Sequence, residues 1–173
     1  YIVMCVFFFF QAEDGIRDLV RSRGLGDVYK RQGEPWKTQF HIREVLDKLY
    51  NWLPDGYCGD EDNGQTSAWY VFSALGFYPV TPGTDEYVFG SPLFKKATLS
   101  FENGKKMIIE APDNSRDNVY VGGISLNGKK IDRNYIRHSE LQSGGRLKFD
   151  MQNSPNKTRG TSEESYPFSM SRE

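Results

Sequence analysis

Cysteine and histidine are scarce in this 173-residue chain: Cys5 and Cys58, His41 and His138 are all it has. A disulfide framework needs a spaced set of cysteines and a zinc cluster needs several thiol or imidazole ligands, so neither organises this protein. Charge of one sign is not in excess either. Lys plus Arg number 22 and Asp plus Glu 23, which removes the basic footprint that nucleic-acid binding requires. Long apolar runs are missing as well. The one candidate, YIVMCVFFFF, opens the chain, and residues 33–173 contain no stretch long enough to span a bilayer.

That opening run fits a secretory signal poorly, because Met4 is internal, no Lys or Arg precedes it, and Gln11-Ala12-Glu13-Asp14 follows. FFFFQAEDGIRD resembles the translation of a poly-T run joined to a sequencing-library adapter. SRGLGDVYKRQ resembles a translated transposase adapter. Residues 1–32 are therefore expected to be adapter-derived and are set aside from fold reasoning. Five of the basic and four of the acidic residues go with them, leaving 17 against 19 and a net charge of −2. Of the two cysteines, Cys58 remains.

From Gly33 the apolar pattern becomes helical. Pro35 suits a first-turn position, and Ile42, Val45, Leu46, Leu49 and Leu53 form one stripe, with Glu44 and Lys48 as a favourable pair four apart. Pro54-Asp55-Gly56 should end that helix. Residues 67–75, SAWYVFSAL, are apolar almost all round, the pattern of a helix buried among other helices, with Gly76 placed to cap it. A single amphipathic neighbour cannot cover such a helix, which implies a fragment of a larger helical body.

In the second half the period becomes two. Ala97, Leu99 and Phe101 alternate with polar residues, Asn103-Gly104 and Asn127-Gly128 carry the two-residue hairpin signal, and Leu147, Phe149 and Met151 alternate again. An antiparallel, sandwich-like β region of about six strands is predicted, in an α+β chain with helices over 33–85 and strands over 86–173.

Between the two helices lies YCGDEDNGQ. Three adjacent carboxylates repel one another, so a turn that keeps them together needs compensation. A helix N-terminus just after the loop favours the ionised forms, which suits either water activation or metal binding. An acidic turn that merely caps a helix in water is the plainer alternative. An EF-hand is excluded: counting from Asp60 puts Gly64 at position 5, Gln65 at 6 and Val71 at 12, where the motif needs an oxygen ligand, Gly and Glu. Calcium held partly by one of these carboxylates stays open, since hard oxygens suit it.

GYCGDEDNGQTSAWYVFSALGFYPVTPG resembles the signature of glycoside hydrolase family 92, exo-acting α-mannosidases. PWKTQ before it, then YVFGSPLF, GGRLKF, SPNK and PFS, follow the family's C-terminal stretch in order. The resemblance implies the last helices of an (α/α)6 barrel followed by a terminal β segment, calcium dependence, and inversion at the anomeric carbon of a mannose-containing glycan, with α-1,2 linkages the expected target. Inverting pairs stand about 6.5–9.5 Å apart across the sugar, so one short loop can supply only one side. On that reading Asp60 and Asp62 form the general-base side, Asp62 as the base and a calcium ligand, Asp60 orienting the water or touching the ion. Glu61 is expected to point away, and the general acid to lie upstream. A periplasmic or extracellular setting is implied too, and this truncated chain should be inactive alone. A carbohydrate-binding β module without chemistry is the alternative.

Trp36, Trp52, Trp69 and Tyr70 are candidate sugar-stacking rings, though aromatics at helical spacing usually build core. His41, on the polar side of its helix, and His138, in a strand, read as structural. Asn156-Lys157-Thr158 is a formal glycosylation sequon, and Lys95-Lys96 and Lys129-Lys130 read as solvated charge.

Overall fold

The computed structural model describes residues 33–54, 56, 59–81 and 83–169. The segment expected to derive from adapter, and Cys58, lie outside the described residues.

Helix α1 spans Pro35–Lys48 and α2 spans Gln65–Leu75. Pro35 sits at the first position of α1, where its missing N–H costs nothing. The helix stops at Lys48, earlier than the apolar stripe suggested. Leu53 lies outside it and is 47% exposed, because Asn51 N–H donates to Gly56 O and Gly56 N–H to Leu53 O, closing a turn over these residues. Helix α2 ends at Gly76, whose φ of +99° admits glycine and strains any other residue. Val45, Leu46 and Trp69 form the buried interface between the two helices, with Ile42, Leu49, Tyr50, Tyr70 and Tyr78 packed around them. The expectation that α2 is buried all round holds on one side only: Thr66, Trp69, Ser73 and Ala74 are buried, while Val71 is 55% exposed.

Eight strands follow among the described residues: β1 Phe77–Tyr78, β2 Glu86–Phe89, β3 Lys96–Ser100, β4 Lys106–Glu110, β5 Tyr120–Leu126, β6 Lys129–Ile131, β7 Tyr135–Arg137 and β8 Gly145–Gln152. They make a three-stranded sheet, β1-β2-β7, and a five-stranded sheet, β3-β4-β8-β5-β6. The sequence reading expected an antiparallel region, but the large sheet is mixed: β4 pairs with β8 in parallel, Ile109 opposite Leu147. Phe77, Phe89 and Ile136 from the small sheet share one core with Met107, Ile109, Val121, Ile124, Leu147, Phe149 and Met151 from the large one. Full burial of each such side chain contributes about 1.5–3 kcal/mol.

Only one Asn-Gly pair makes the predicted two-residue turn. Asn127 and Gly128 both have positive φ, at 51° and 80°, and Leu126 pairs directly with Lys129. At Asn103-Gly104 only the glycine is left-handed, and Phe101 N–H bonds Lys105 O, which lengthens the loop by one residue. His138 is not in a strand. It begins a short helix, α3 (His138–Gln142), with its ring stacked on Tyr87.

Buried polar side chains join the helices to the sheets. Gln39 on α1 accepts a hydrogen bond from Val121 N–H at 2.9 Å. Arg43, also on α1, donates to Pro92 O at 2.8 Å, Asn114 Oδ1 at 2.7 Å and Ser115 O at 3.1 Å. The C-terminal stretch is anchored by Arg159, whose guanidinium donates to Asn134 Oδ1 and Arg133 O.

Candidate active-site loop

The acidic loop occupies Gly59–Gly64 at the mouth of α2. Its backbone is unusual. Asp62, Asn63 and Gly64 lie in succession in the left-handed region, at φ 52°, 56° and 94°. Asp and Asn tolerate this better than other non-glycine residues, yet such conformations cost on the order of 1–3 kcal/mol each and gather at functional sites. The bend turns carbonyls rather than carboxylates onto the helix: Gln65 N–H donates to Asp62 O and Thr66 N–H to Glu61 O. Thr66 Oγ1 donates to Asp60 O at 2.9 Å, and Tyr50 Oη donates to Thr66 O at 3.1 Å. Backbone acceptors thus satisfy the first-turn donors, and no side chain caps Gly64.

The three carboxylates separate as a result. Glu61 is half-buried and accepts a hydrogen bond from Ser67 Oγ in the first turn of α2. Its Oε2 is buried without a hydrogen-bond partner. Asp60 and Asp62, on either side, are exposed. A loop so arranged presents two anionic oxygen donors outward while the third is taken up by the helix. The Glu61–Ser67 and Asp60–Thr66 contacts were not anticipated, although hydroxyls in the first turn after an acidic loop are the sequence signal for them.

Among the described residues no group of three or more His, Cys, Asp or Glu side chains is disposed to hold a metal ion. Two shallow grooves of about 390 and 410 Å³ lie elsewhere, one along Gly122, Gly123, Asp150 and Gln152, the other between α1 and residues 116–120. Neither is lined by the acidic loop. The candidate aromatics also divide. Trp69 is buried and stacks on Tyr50 at 5.8 Å, Tyr70 packs against the same tyrosine at 5.0 Å, and Trp36 lies half-buried within α1. Trp52 alone of the four is left outside, 91% exposed. His41 Nδ1 lies 3.3 Å from Glu44, and Tyr87 Oη lies 3.0 Å from His138 Nδ1. Asn156, the sequon residue, donates its amide to Gly122 O and accepts from Thr158 and Arg159, a turn-forming role.

Comparison with known proteins assigns the class. The glycosyl hydrolase family 92 catalytic domain matches residues 27–153. An inverting mannosidase of the family from Bacteroides thetaiotaomicron, BT2199, is 54% identical with a TM-score of 0.80, over 85% of this chain and 20% of the other. The α-mannosidase BT3965 of the same organism is 39% identical with a TM-score of 0.81, over 85% of this chain and 20% of that one, and has also been solved in complex with mannoimidazole. A fungal protein from Arthroderma benhamiae, described as an uncharacterized secreted glycosidase, is 27% identical over 127 residues, 72% of this chain and 16% of its own length. The chain belongs to glycosyl hydrolase family 92. It spans about a fifth of the length of the two solved mannosidases and about a sixth of the fungal relative.

Proposed function

We propose that the chain is the C-terminal part of an inverting exo-α-mannosidase acting on mannose-containing glycans, with α-1,2-linked mannosides the preferred target. Residues 33–85 would contribute the closing helices of an (α/α)6 barrel and residues 86–173 its terminal β segment. Support for the barrel comes from Val71 of α2, 55% exposed and left uncovered by the two-helix packing. Family membership and the likeness to an inverting mannosidase support the reaction.

The observation that carries the chemistry is the split of the acidic loop: Glu61 is bound by Ser67 while Asp60 and Asp62 face outward. In the inverting reaction Asp62 takes a proton from water as the water oxygen bonds to the anomeric carbon. The glycosidic C–O bond breaks on the opposite face, and the departing oxygen receives its proton from an acid supplied upstream. Asp60 orients that water. Asp62 stands on left-handed backbone and is exposed, and the Thr66–Asp60 hydrogen bond fixes the start of the loop.

Asp60 and Asp62 are hard, anionic oxygen donors on an exposed turn, a donor set that fits calcium. When bound, calcium would hold adjacent sugar hydroxyls and favour a distorted ring near the oxocarbenium-like transition state. An extracytoplasmic setting is consistent with the secreted fungal relative, and no described helix is long and apolar enough to cross a membrane. The alternative of a binding-only β module finds less support, because the groove on the β5–β8 face is lined by no aromatic ring. The test is steady-state hydrolysis of α-mannosides by the full-length protein, with and without Asp62→Asn. Unaltered turnover in the variant would end the assignment.

A further inference from the structure

Asp60, Glu61 and Asp62 are neighbours in sequence, yet the first turn of α2 treats the middle residue differently. Gln65 N–H donates to Asp62 O at 3.2 Å, Thr66 N–H to Glu61 O at 3.1 Å, and Thr66 Oγ1 to Asp60 O at 2.9 Å, so two helix residues hold three consecutive carbonyls. Thr66 is itself fully buried, and its carbonyl accepts the Tyr50 hydroxyl at 3.1 Å. The backbone clamp thus stands on the packed part of the helix. Glu61 is held a second time, through its side chain. Ser67 Oγ donates to Glu61 Oε1 and reaches its other acceptor, Gly64 O, only at 3.4 Å.

Stability gives a poor account of this second hold. Glu61 Oε2 is buried with no hydrogen-bond partner among the described residues, and a carboxylate half bonded and half stranded is costly to the fold. The chain's own atoms bury that oxygen, and they do so whatever packs on the outside. Glu61 carries one more methylene than the aspartates on either side of it. Once released, its carboxylate can swing round to theirs, bring a third negative charge, and compete for the water or cation that they are to hold. The Ser67 hydroxyl prevents this.

We propose that Ser67 is a latch that keeps the Glu61 carboxylate off the base side of the site, so that Asp60 and Asp62 work without a competing third anion. The proposal rests on the reading of those two aspartates as the base side of a mannosidase. Ser67 acts through Glu61 and is a positioning residue.

The experiment is steady-state hydrolysis of an α-mannoside by the full-length enzyme, well below its Tm, in wild type, Ser67→Ala, Ser67→Thr, Ser67→Asp, Glu61→Gln and the double variant Ser67→Ala with Glu61→Gln. In Ser67→Ala kcat should fall about tenfold with KM unchanged, because disorder at a reacting group is felt in the chemical step. Ser67→Thr keeps the hydroxyl and should recover most of the loss. Ser67→Asp has a charge that suits a helix N-terminus but repels Glu61, and its kcat should fall at least as far, which provides a second route to release should the alanine variant not fold. The decisive arm is the double variant. Removing the charge of Glu61 should restore kcat towards wild type in the Ser67→Ala background, a rescue that a merely structural hydroxyl would not give. A double variant no faster than Ser67→Ala overturns the latch. So does a wild-type kcat in Ser67→Ala or Ser67→Asp, even with a lowered Tm. A loss of about 10²-fold or more in Glu61→Gln alone would make Glu61 a direct participant and overturn it too. A wild-type enzyme that leaves α-mannosides intact refutes the mannosidase reading, and the latch falls with it, whereas an active wild type with an inactive Asp62→Asn and a normal Ser67→Ala fails the latch alone.

Discussion

Arg43 and Asn114, 71 positions apart, are joined by a buried hydrogen bond of 2.7 Å from guanidinium to amide oxygen. Asn114 in turn donates to Leu93 O at 2.6 Å, so one side chain from α1 and one from the loop after β4 close the seam between helices and sheets. Burial lowers the Arg43 pKa, against the opposing charge of Asp47. Replacing Arg43 by Met in the full-length protein should cost about 3 kcal/mol, since Asn114 Oδ1 and Pro92 O would lose their donor while buried. Chemical denaturation measures this, and a variant as stable as wild type would show the seam to be held by packing alone.

Asp62→Asn should lower kcat by about 10²–10⁴-fold, the usual contribution of a general base, with little change in KM. Asp60→Asn should cost less, because it positions rather than accepts the proton. Rate measurements on an α-mannoside distinguish the two, and a greater loss at Asp60 would exchange their roles.

Chelation should abolish turnover by the full-length enzyme, and added calcium should restore it. Magnesium should serve poorly, because it demands tighter octahedral geometry and gives up its waters reluctantly. Full activity in excess chelator would remove the ion from the proposal.

Gly76→Ala should destabilise by about 1–2 kcal/mol. The φ of +99° strains an L residue, and the added Cβ would meet Pro92 Cβ at 3.1 Å and Phe149 Cζ at 3.2 Å. A thermal melt reads the effect as a lower Tm.

A pH-dependent contribution is expected at Glu140. Burial pushes its carboxyl up, but the Arg133 hydrogen bond at 2.5 Å, the Arg137 N–H at 2.9 Å and the charges of both arginines outweigh that and hold it below its ordinary 4.5. A depressed carboxylate adds stability that is complete above the unfolded value and lost as pH falls through the folded one. Glu140→Gln should therefore cost about 1 kcal/mol at pH 7, and the difference from wild type should shrink as pH falls below the ordinary carboxyl range and through the lowered folded value. A difference that stayed constant with pH would refer the effect to shape instead of charge.

Local signals were legible where one residue type decides the backbone. Pro35 opens α1, Gly76 closes α2, and Asn127-Gly128 makes its hairpin because both positions accept positive φ. Alternation of Leu147, Phe149 and Met151 marked β8 because all three are buried on one face. Non-local features were not legible. The parallel pairing of β4 with β8 depends on segments about 40 residues apart and leaves no mark in either strand's pattern. Strands as short as Phe77–Tyr78 carry no period. Leu53 matched the helical stripe, yet the Asn51–Gly56 turn was a stronger local choice. In the acidic loop, residue types indicated the chemistry. Which carboxylate turns inward depended on Ser67, six residues after Glu61 in the first turn of α2.

The position of β8 at the centre of the large sheet, between β4 and β5, bears on how the protein is made. Two ribbons, β3–β4 and β5–β6, leave the ribosome before the strand that unites them, and each must wait with an unpaired edge until Gly145–Gln152 emerges. Stop codons or proteolytic nicks before residue 145 would strand those ribbons apart, so the nascent chain passes through an aggregation-prone interval that closes only when Gly145–Gln152 has emerged.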